Sequence, residues 1–258
     1  MDLLTAIVLG VIQGITEWIP ISSEAMVTLT GRFFFNMSYS EAIGNALWLH
    51  GGTMLAAVVY FRKDIYEILM SVFKGDRSIL IFLIIATFFS CLIAGVLILF
   101  LFSIQINDAY FTLLIGFCLL ILSFLYKNKK LNQIDKKINN KNAILPGILQ
   151  GFAVIPGVSR SGVTIVSLIY EKFSLKQAFR FSFLMSIPVT FLASIMVPFI
   201  KQDFIFSNNL LISGITAFIV GLLTIKTLMD LAEKINFYKA TLTLSIFILL
   251  LGIIQVLF

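Results

Sequence analysis

The chain has 258 residues, of which 59% are hydrophobic and 12% charged, and its formal net charge is +6. Soluble domains carry about twice that charged fraction, so a soluble enzyme or adaptor is excluded. The positive charge lies in short stretches between apolar runs and builds no basic face, which excludes a nucleic-acid-binding protein.

Residues 3–34 form a first apolar stretch, broken by Q-G-I-T-E-W-I-P-I-S-S at 13–23. No cleavable signal peptide is expected, because the stretch opens on Asp2 and runs straight into polar motif residues. Its composition predicts two half-length helices around a loop, a re-entrant hairpin. Irregular backbone at membrane depth is tolerated only where protein or a wet cavity surrounds it.

Three apolar runs follow, near 42–61, 78–102 and 108–126, with a charged loop expected at 62–77. Each run has the roughly 20 residues needed to cross about 30 Å of hydrocarbon. A lysine-rich linker occupies 127–142, and a second broken stretch, 143–170, contains V-I-P-G-V-S-R-S-G-V-T at 154–164. Three more spans are expected near 178–200, 209–231 and 239–258. The fold class is therefore all-α: a polytopic membrane protein of six transmembrane helices and two re-entrant helical hairpins. Cys91 and Cys118 lie inside apolar runs and read as packing residues.

The two broken stretches resemble each other. G-V-I-Q-G at 10–14 matches G-I-L-Q-G at 147–151, and I-P-I-S-S at 19–23 matches I-P-G-V-S at 155–159 with one gap. This predicts a duplication offset by about 137 residues: a first repeat 1–126, the linker 127–142 and a second repeat 143–258. Three spans per half invert the second repeat relative to the first, a plan that places the site where the interrupted segments meet. With that topology, sixteen of the nineteen lysines and arginines fall on one side and only Arg32 and Lys201 on the other. Lys and Arg accumulate in cytoplasmic loops, so 127–142 is expected in the cytoplasm and both termini outside, in a multi-pass plasma-membrane protein.

The polar residues at membrane depth cluster in the two hairpins: Gln13, Glu17, Ser22, Ser23 and Glu24 in the first, Gln150, Ser159, Arg160, Ser161 and Thr164 in the second. Gln13 and Glu17 share a helix face. Ser159-Arg160-Ser161-Gly162 reads as the start of a helix, whose free N–H groups bind anions, and arginine adds a fork suited to phosphate. Glu17 could hold a divalent cation bridging to the same phosphate. Blander readings stay open: a snorkelling arginine, serines that pack helices, a structural Glu17, and Glu24 as a helix N-terminal charge.

At this point the motifs become recognisable. Q-G-I-T-E-W-I-P-I-S-S at 13–23 and P-G-V-S-R-S-G-V-T at 156–164 resemble the two signatures of the undecaprenyl-diphosphate phosphatase family, the bacitracin-resistance type. G-T-M-L-A-A-V-V-Y-F-R at 52–62 and F-R-F-S-F-L-M-S-I-P-V at 179–189 extend the resemblance over nearly the whole chain. The resemblance implies hydrolysis of the terminal phosphate of a polyprenyl diphosphate to regenerate the monophosphate carrier lipid. It implies Mg²⁺ or Ca²⁺ as cofactor, held by Glu17 and Gln13. It also assigns Ser22 and Ser23 to the family's serine pair, and Ser159, Arg160, Ser161 and Thr164 to its phosphate-binding motif; Gly162 and Gln150, beside them in the second hairpin, are expected to bind substrate as well. The partners expected are the lipid substrate and membrane lipids, with a homodimer as a further option.

Two departures stand out. The family usually has Glu where this chain has Gln13, and a histidine where it has Met26. The single histidine, His50, or else Glu24, is therefore expected to supply the proton-transfer group beside Glu17, Ser23 and Arg160. The rival to the phosphatase is a transporter or flippase of polyprenyl phosphate or another anionic lipid.

Overall fold

The structure is a computed structural model that describes residues 1–101, 107–127, 135–155, 157–200, 207–232 and 234–257. Residues 128–134 of the expected linker, together with Pro156 and Lys201, lie outside the described residues. Among the described residues, six helices are long and apolar enough to cross a membrane: α3 (Tyr39–Tyr60), α5 (Ser78–Leu101), α6 (Asp108–Tyr126), α9 (Leu175–Ile200), α10 (Asn208–Ala232) and α11 (Phe237–Leu257). Hydrocarbon offers no hydrogen bonds, so a run of this composition must satisfy its backbone internally, and the helix does so.

Four short helices form two pairs. The first is α1 (Leu3–Thr16) with α2 (Ser23–Phe35). The second is α7 (Ile144–Gly151) with α8 (Arg160–Tyr170), joined through a 3-10 turn at Phe152–Val154. At 1.5 Å per residue none of the four reaches the roughly 30 Å of a hydrocarbon core.

The expected loop 62–77 is a correction: Arg62–Lys74 is a helix, α4. Ile65, Ile68, Leu69, Val72 and Phe73 recur at the three-and-four spacing of one helix face, a pattern obscured by the charges around it. That stripe beside Arg62, Lys63, Asp64 and Glu67 makes α4 amphipathic, with Ile68 buried and Leu69 and Phe73 exposed. A second 3-10 turn, at Asn140–Ala143, closes the linker.

Hydrogen bonds sort the helix ends into two groups. Thr112 Oγ1 donates to Gln255 Oε1 at 2.7 Å and also contacts the Tyr39 hydroxyl. The starts of α3 and α6 therefore meet the end of α11. Asn209 Nδ2 donates to Met1 O at 3.0 Å, bringing the N-terminus to the start of α10. Elsewhere Arg180 Nε donates to Asp64 Oδ1 at 2.6 Å, fastening the beginning of α9 to α4. Ser174 Oγ donates to Asp135 Oδ1 and Lys136 Nζ to the Glu171 carbonyl, each at 2.5 Å, so the linker's last residues bind the segment before α9.

Each short pair packs mainly on a span from the other half of the chain: α1 lies on α10, and α7 lies on α5. The glycines of the repeated G-x-x-x-G make this possible. A Cβ at Gly10 would stand 2.6 Å from Ser213 O, and one at Gly14 2.8 Å from Gly221 N. Likewise a Cβ at Gly147 would lie 2.6 Å from Ala86 O and 2.9 Å from Ala86 Cα. Backbone cannot yield as a side chain can. Gly147→Val is therefore expected to lower the melting temperature in detergent by roughly 5–10 °C, as overpacking of about 2–3 kcal/mol requires. An unchanged melting curve would mean that α7 and α5 are not in this contact.

Candidate active site

The turn after α1 is held rigidly. Trp18 is buried, donates Nε1–H to the Gly221 carbonyl at 3.1 Å, and packs edge-on to Phe183 at 5.2 Å. That anchors residue 17 at the end of α1, where its own N–H returns to Gln13 O at 3.1 Å. Ser22 then starts α2 as its N-cap, in left-handed backbone (φ 70°), and accepts Ala25 N–H at 3.3 Å. A non-glycine residue there stores strain of about 1–3 kcal/mol, a pattern common at functional sites.

Glu17, only 4% exposed, is the hub. Its Oε2 accepts from Gln13 Nε2 at 2.8 Å and from Ser23 Oγ at 2.6 Å, and His50 Nε2 lies 3.5 Å away. Its Oε1 pairs with Arg160 Nη2 across 143 residues of sequence. The expected acid, serine and arginine thus converge, and His50 joins them. His50 Nδ1 lies 2.7 Å from the Ala46 carbonyl. A carbonyl only accepts, so Nδ1 donates to it and Nε2 is the ring atom left to face Glu17.

Arg160 opens α8, and Ser159 caps it by accepting Gly162 N–H at 3.1 Å. Gly157 shapes the approach: its φ is +95°, and an added Cβ would lie 2.6 Å from Ile115 Cα, so both conformation and space demand glycine. Thr164 Oγ1 is used internally, donating toward the Arg160 and Ser161 carbonyls and lying 2.5 Å from Ser182 Oγ. Arg160 Nη1, by contrast, is buried with no partner among the described residues. So is Gln13 Oε1. A buried polar atom left unpaired is costly, which marks both as seats for something that completes them.

Around this hub lies a cavity of ≈ 400 Å³. Its polar wall comprises Glu17, Ser22, Ser23, Glu24 and His50 from one side of the chain, and Gln150, Ser159, Arg160, Ser161 and Thr190 from the other. Leu47, Ala94, Ile98, Val154 and Leu192 make the remainder apolar. Gln13, Gly162 and Thr164 are not on the wall; they buttress it from behind. Sequence reasoning missed Thr53, which accepts from Gln13 Nε2 at 3.3 Å, and Thr190. The two are separated by the same 137 residues as the repeat, a signal that was present in the sequence.

The described residues contain no group of three His, Cys, Asp or Glu side chains spaced to enclose a metal ion. What they offer a hard cation is the Glu17 carboxylate and a second carboxylate, Glu24, on the cavity wall, with the unpaired Gln13 amide oxygen behind Glu17. Mg²⁺ commonly binds through one or two carboxylates and completes its shell with substrate phosphate and water. The donor set fits a cation of that kind. Chemically, the arrangement suits a molecule with an anionic head and an apolar body, next to a hydroxyl whose proton already leans on a carboxylate.

Residues 6–254 match the family described as Bacitracin resistance protein BacA. An undecaprenyl-diphosphatase of Methanococcoides burtonii is 36% identical over 268 residues, covering 100% of this chain and 98% of that protein. One from Sulfurisphaera tokodaii is 34% identical over 100% of both chains. A third, from Marinobacter nauticus, is 34% identical across 92% of this chain and 93% of its own length.

Proposed function

The chain belongs to the bacitracin resistance protein BacA family, and on that premise we propose that it is a membrane phosphatase. It removes the terminal phosphate of an undecaprenyl-type polyprenyl diphosphate and regenerates the monophosphate carrier. The observation that carries this reading is the Glu17–Arg160 pair, buried at the floor of a cavity whose other walls are apolar. Arg160 holds Glu17 with Nη2 and has Nη1 left for a phosphate oxygen. Ser159 and the first turn of α8 add N-terminal helix dipoles to the same anion.

A diphosphate brings several negative charges into a cavity that already contains Glu17 and Glu24. A divalent cation seated by Glu17 and Gln13 supplies the compensating charge when bound. Ser23 Oγ attacks the terminal phosphorus, its proton passing to the Glu17 carboxylate 2.6 Å away. Clamping charge of this kind provides most of the catalysis in phosphoryl transfer. His50 Nε2 takes up the proton from Glu17, the function for which Met26 has no chemistry.

The two short helix pairs act as re-entrant hairpins of two inverted repeats, 1–126 and 143–258, around the linker 127–142. Their exchange, α1 onto α10 and α7 onto α5, is what a two-fold relation between halves would produce. In this reading the arginine- and lysine-rich ends are cytoplasmic and the termini external. A homodimer is not required, because one chain supplies every residue of the site.

The direct test is phosphate release from long-chain polyprenyl diphosphate by purified protein in nanodiscs, with and without EDTA. One phosphate and one monophosphate lipid per turnover are expected, with strong loss in EDTA. Binding without release would leave a transporter. His50→Gln is expected to lower turnover about 10²-fold, the usual worth of a proton-transfer group, with the lipid's KM little changed. Wild-type turnover in that variant would remove His50 from the chemistry.

A further inference from the structure

Gln150 is 2% exposed and lines the cavity, and its orientation is fixed by a chain of donors. Ser90 Oγ lies 2.7 Å from the Ala86 carbonyl and 3.0 Å from the Gly147 carbonyl. Both are acceptors only, so the Ser90 proton is committed to them. The 2.9 Å contact between Ser90 Oγ and Gln150 must then be an amide N–H donating into the serine lone pair. Gln150 Nε2 also lies 3.5 Å from the Met185 carbonyl, again an acceptor. The amide cannot be turned over without losing both contacts. Its Oε1 is consequently an acceptor, buried and without a partner among the described residues.

An unpaired acceptor does not suit a phosphate oxygen, which is an acceptor itself. It suits a donor, and the donor that the reaction brings is water. Resting on the phosphatase reading above, we infer that Gln150 Oε1 holds the water that releases phosphate from phosphorylated Ser23. In that step the water oxygen bonds to phosphorus and the Oγ–P bond breaks, with its electron pair leaving on Ser23 Oγ. Oγ recovers the proton it gave up in the first transfer, and both of the water's protons depart with the phosphate. Displacement at phosphorus is in line, so water and Oγ must stand on opposite sides of it. Ser23 comes from the first helix pair and Gln150 from the second, and both line the one cavity in which that displacement would take place. Gln150 is thus a positioning residue: it orients the nucleophile and exchanges no proton.

The experiment follows both products after rapid mixing of the full chain in nanodiscs with polyprenyl diphosphate labelled in its terminal phosphate. Gln150→Met keeps side-chain length and removes Oε1; Gln150→Asn keeps an amide but withdraws it from the wall. Both are expected to release about one monophosphate lipid per chain in a burst while phosphate release slows some 10–100-fold, the usual penalty for a misplaced reactant. Acid-stable label should accumulate on Ser23. A merely structural role would slow both products together with no label on the protein, and that result overturns the inference. Ser23→Ala separates the two readings. If Ser23→Ala still forms monophosphate at the normal rate, Ser23 is not the nucleophile. If Ser23→Ala is inactive while both Gln150 variants clear the label as fast as wild type, the assignment of the water alone is wrong.

Discussion

Arg160→Ala is expected to lower phosphate release by about 10³-fold or more, the range spanned by arginines that clamp a transferring phosphoryl group. The protein should still fold. Glu17 would keep Gln13, Ser23 and His50 around Oε2, so its charge is not abandoned when the guanidinium goes. Arg160→Lys tests the fork more than the charge. A lysine is a point charge and cannot grip Glu17 with one nitrogen while presenting another to phosphate. It should recover only a small part of the activity. The measurement is kcat for phosphate release, beside the melting temperature of each variant in detergent. Arg160→Ala turning over at the wild-type rate would remove the phosphate seat from this residue and undo the proposed site.

Glu17→Gln is the second large effect. The substitution is isosteric, so the cavity keeps its shape, but the carboxylate loses its ion pair with Arg160, its capacity to take the Ser23 proton and its attraction for a cation. Turnover should fall by about 10²–10⁴-fold. The buried guanidinium, 14% exposed, loses its counter-ion, and breaking a buried pair from one side costs about 3–5 kcal/mol. Glu17→Gln should therefore melt measurably lower than wild type. Because Glu17 and Arg160 act as one unit, the double variant should be little worse than the poorer single one. Additive losses would mean that the two residues work independently, contrary to the geometry of the hub.

Much of the architecture was legible in the sequence for a simple reason. A span is defined by its own composition, and six runs of apolar residues needed no partner to be recognised. α4 escaped because its charges drew attention from a regular three-and-four apolar spacing. The interruptions at Pro, Gly and Ser likewise announced that two segments do not cross as single helices. Within them the polar residues stood out, since each is expensive at membrane depth unless it has a task.

The division of labour among those polar residues was not legible. Ser159 and Thr164 belong to the same motif as Arg160, yet one caps a helix and the other bonds back to it, leaving Arg160 to face Glu17. Gln13 and Gln150 occupy matching places in the repeat, and which end of each amide is left over depends on Glu17 in one case and Ser90 in the other.

The sequence by itself determined that this is a helical membrane protein, where its six long apolar helices run and which residues carry charge into hydrocarbon. Those properties follow from the transfer energies of individual side chains and from local periodicity, which do not depend on distant partners. Only the tertiary structure decided that residues 17, 23, 50 and 160 share one cavity, and which of their atoms remain unpaired. Hydrogen-bond direction is set by the group across the contact, and for Arg160 and Gln150 that group lies on another helix, far away along the chain.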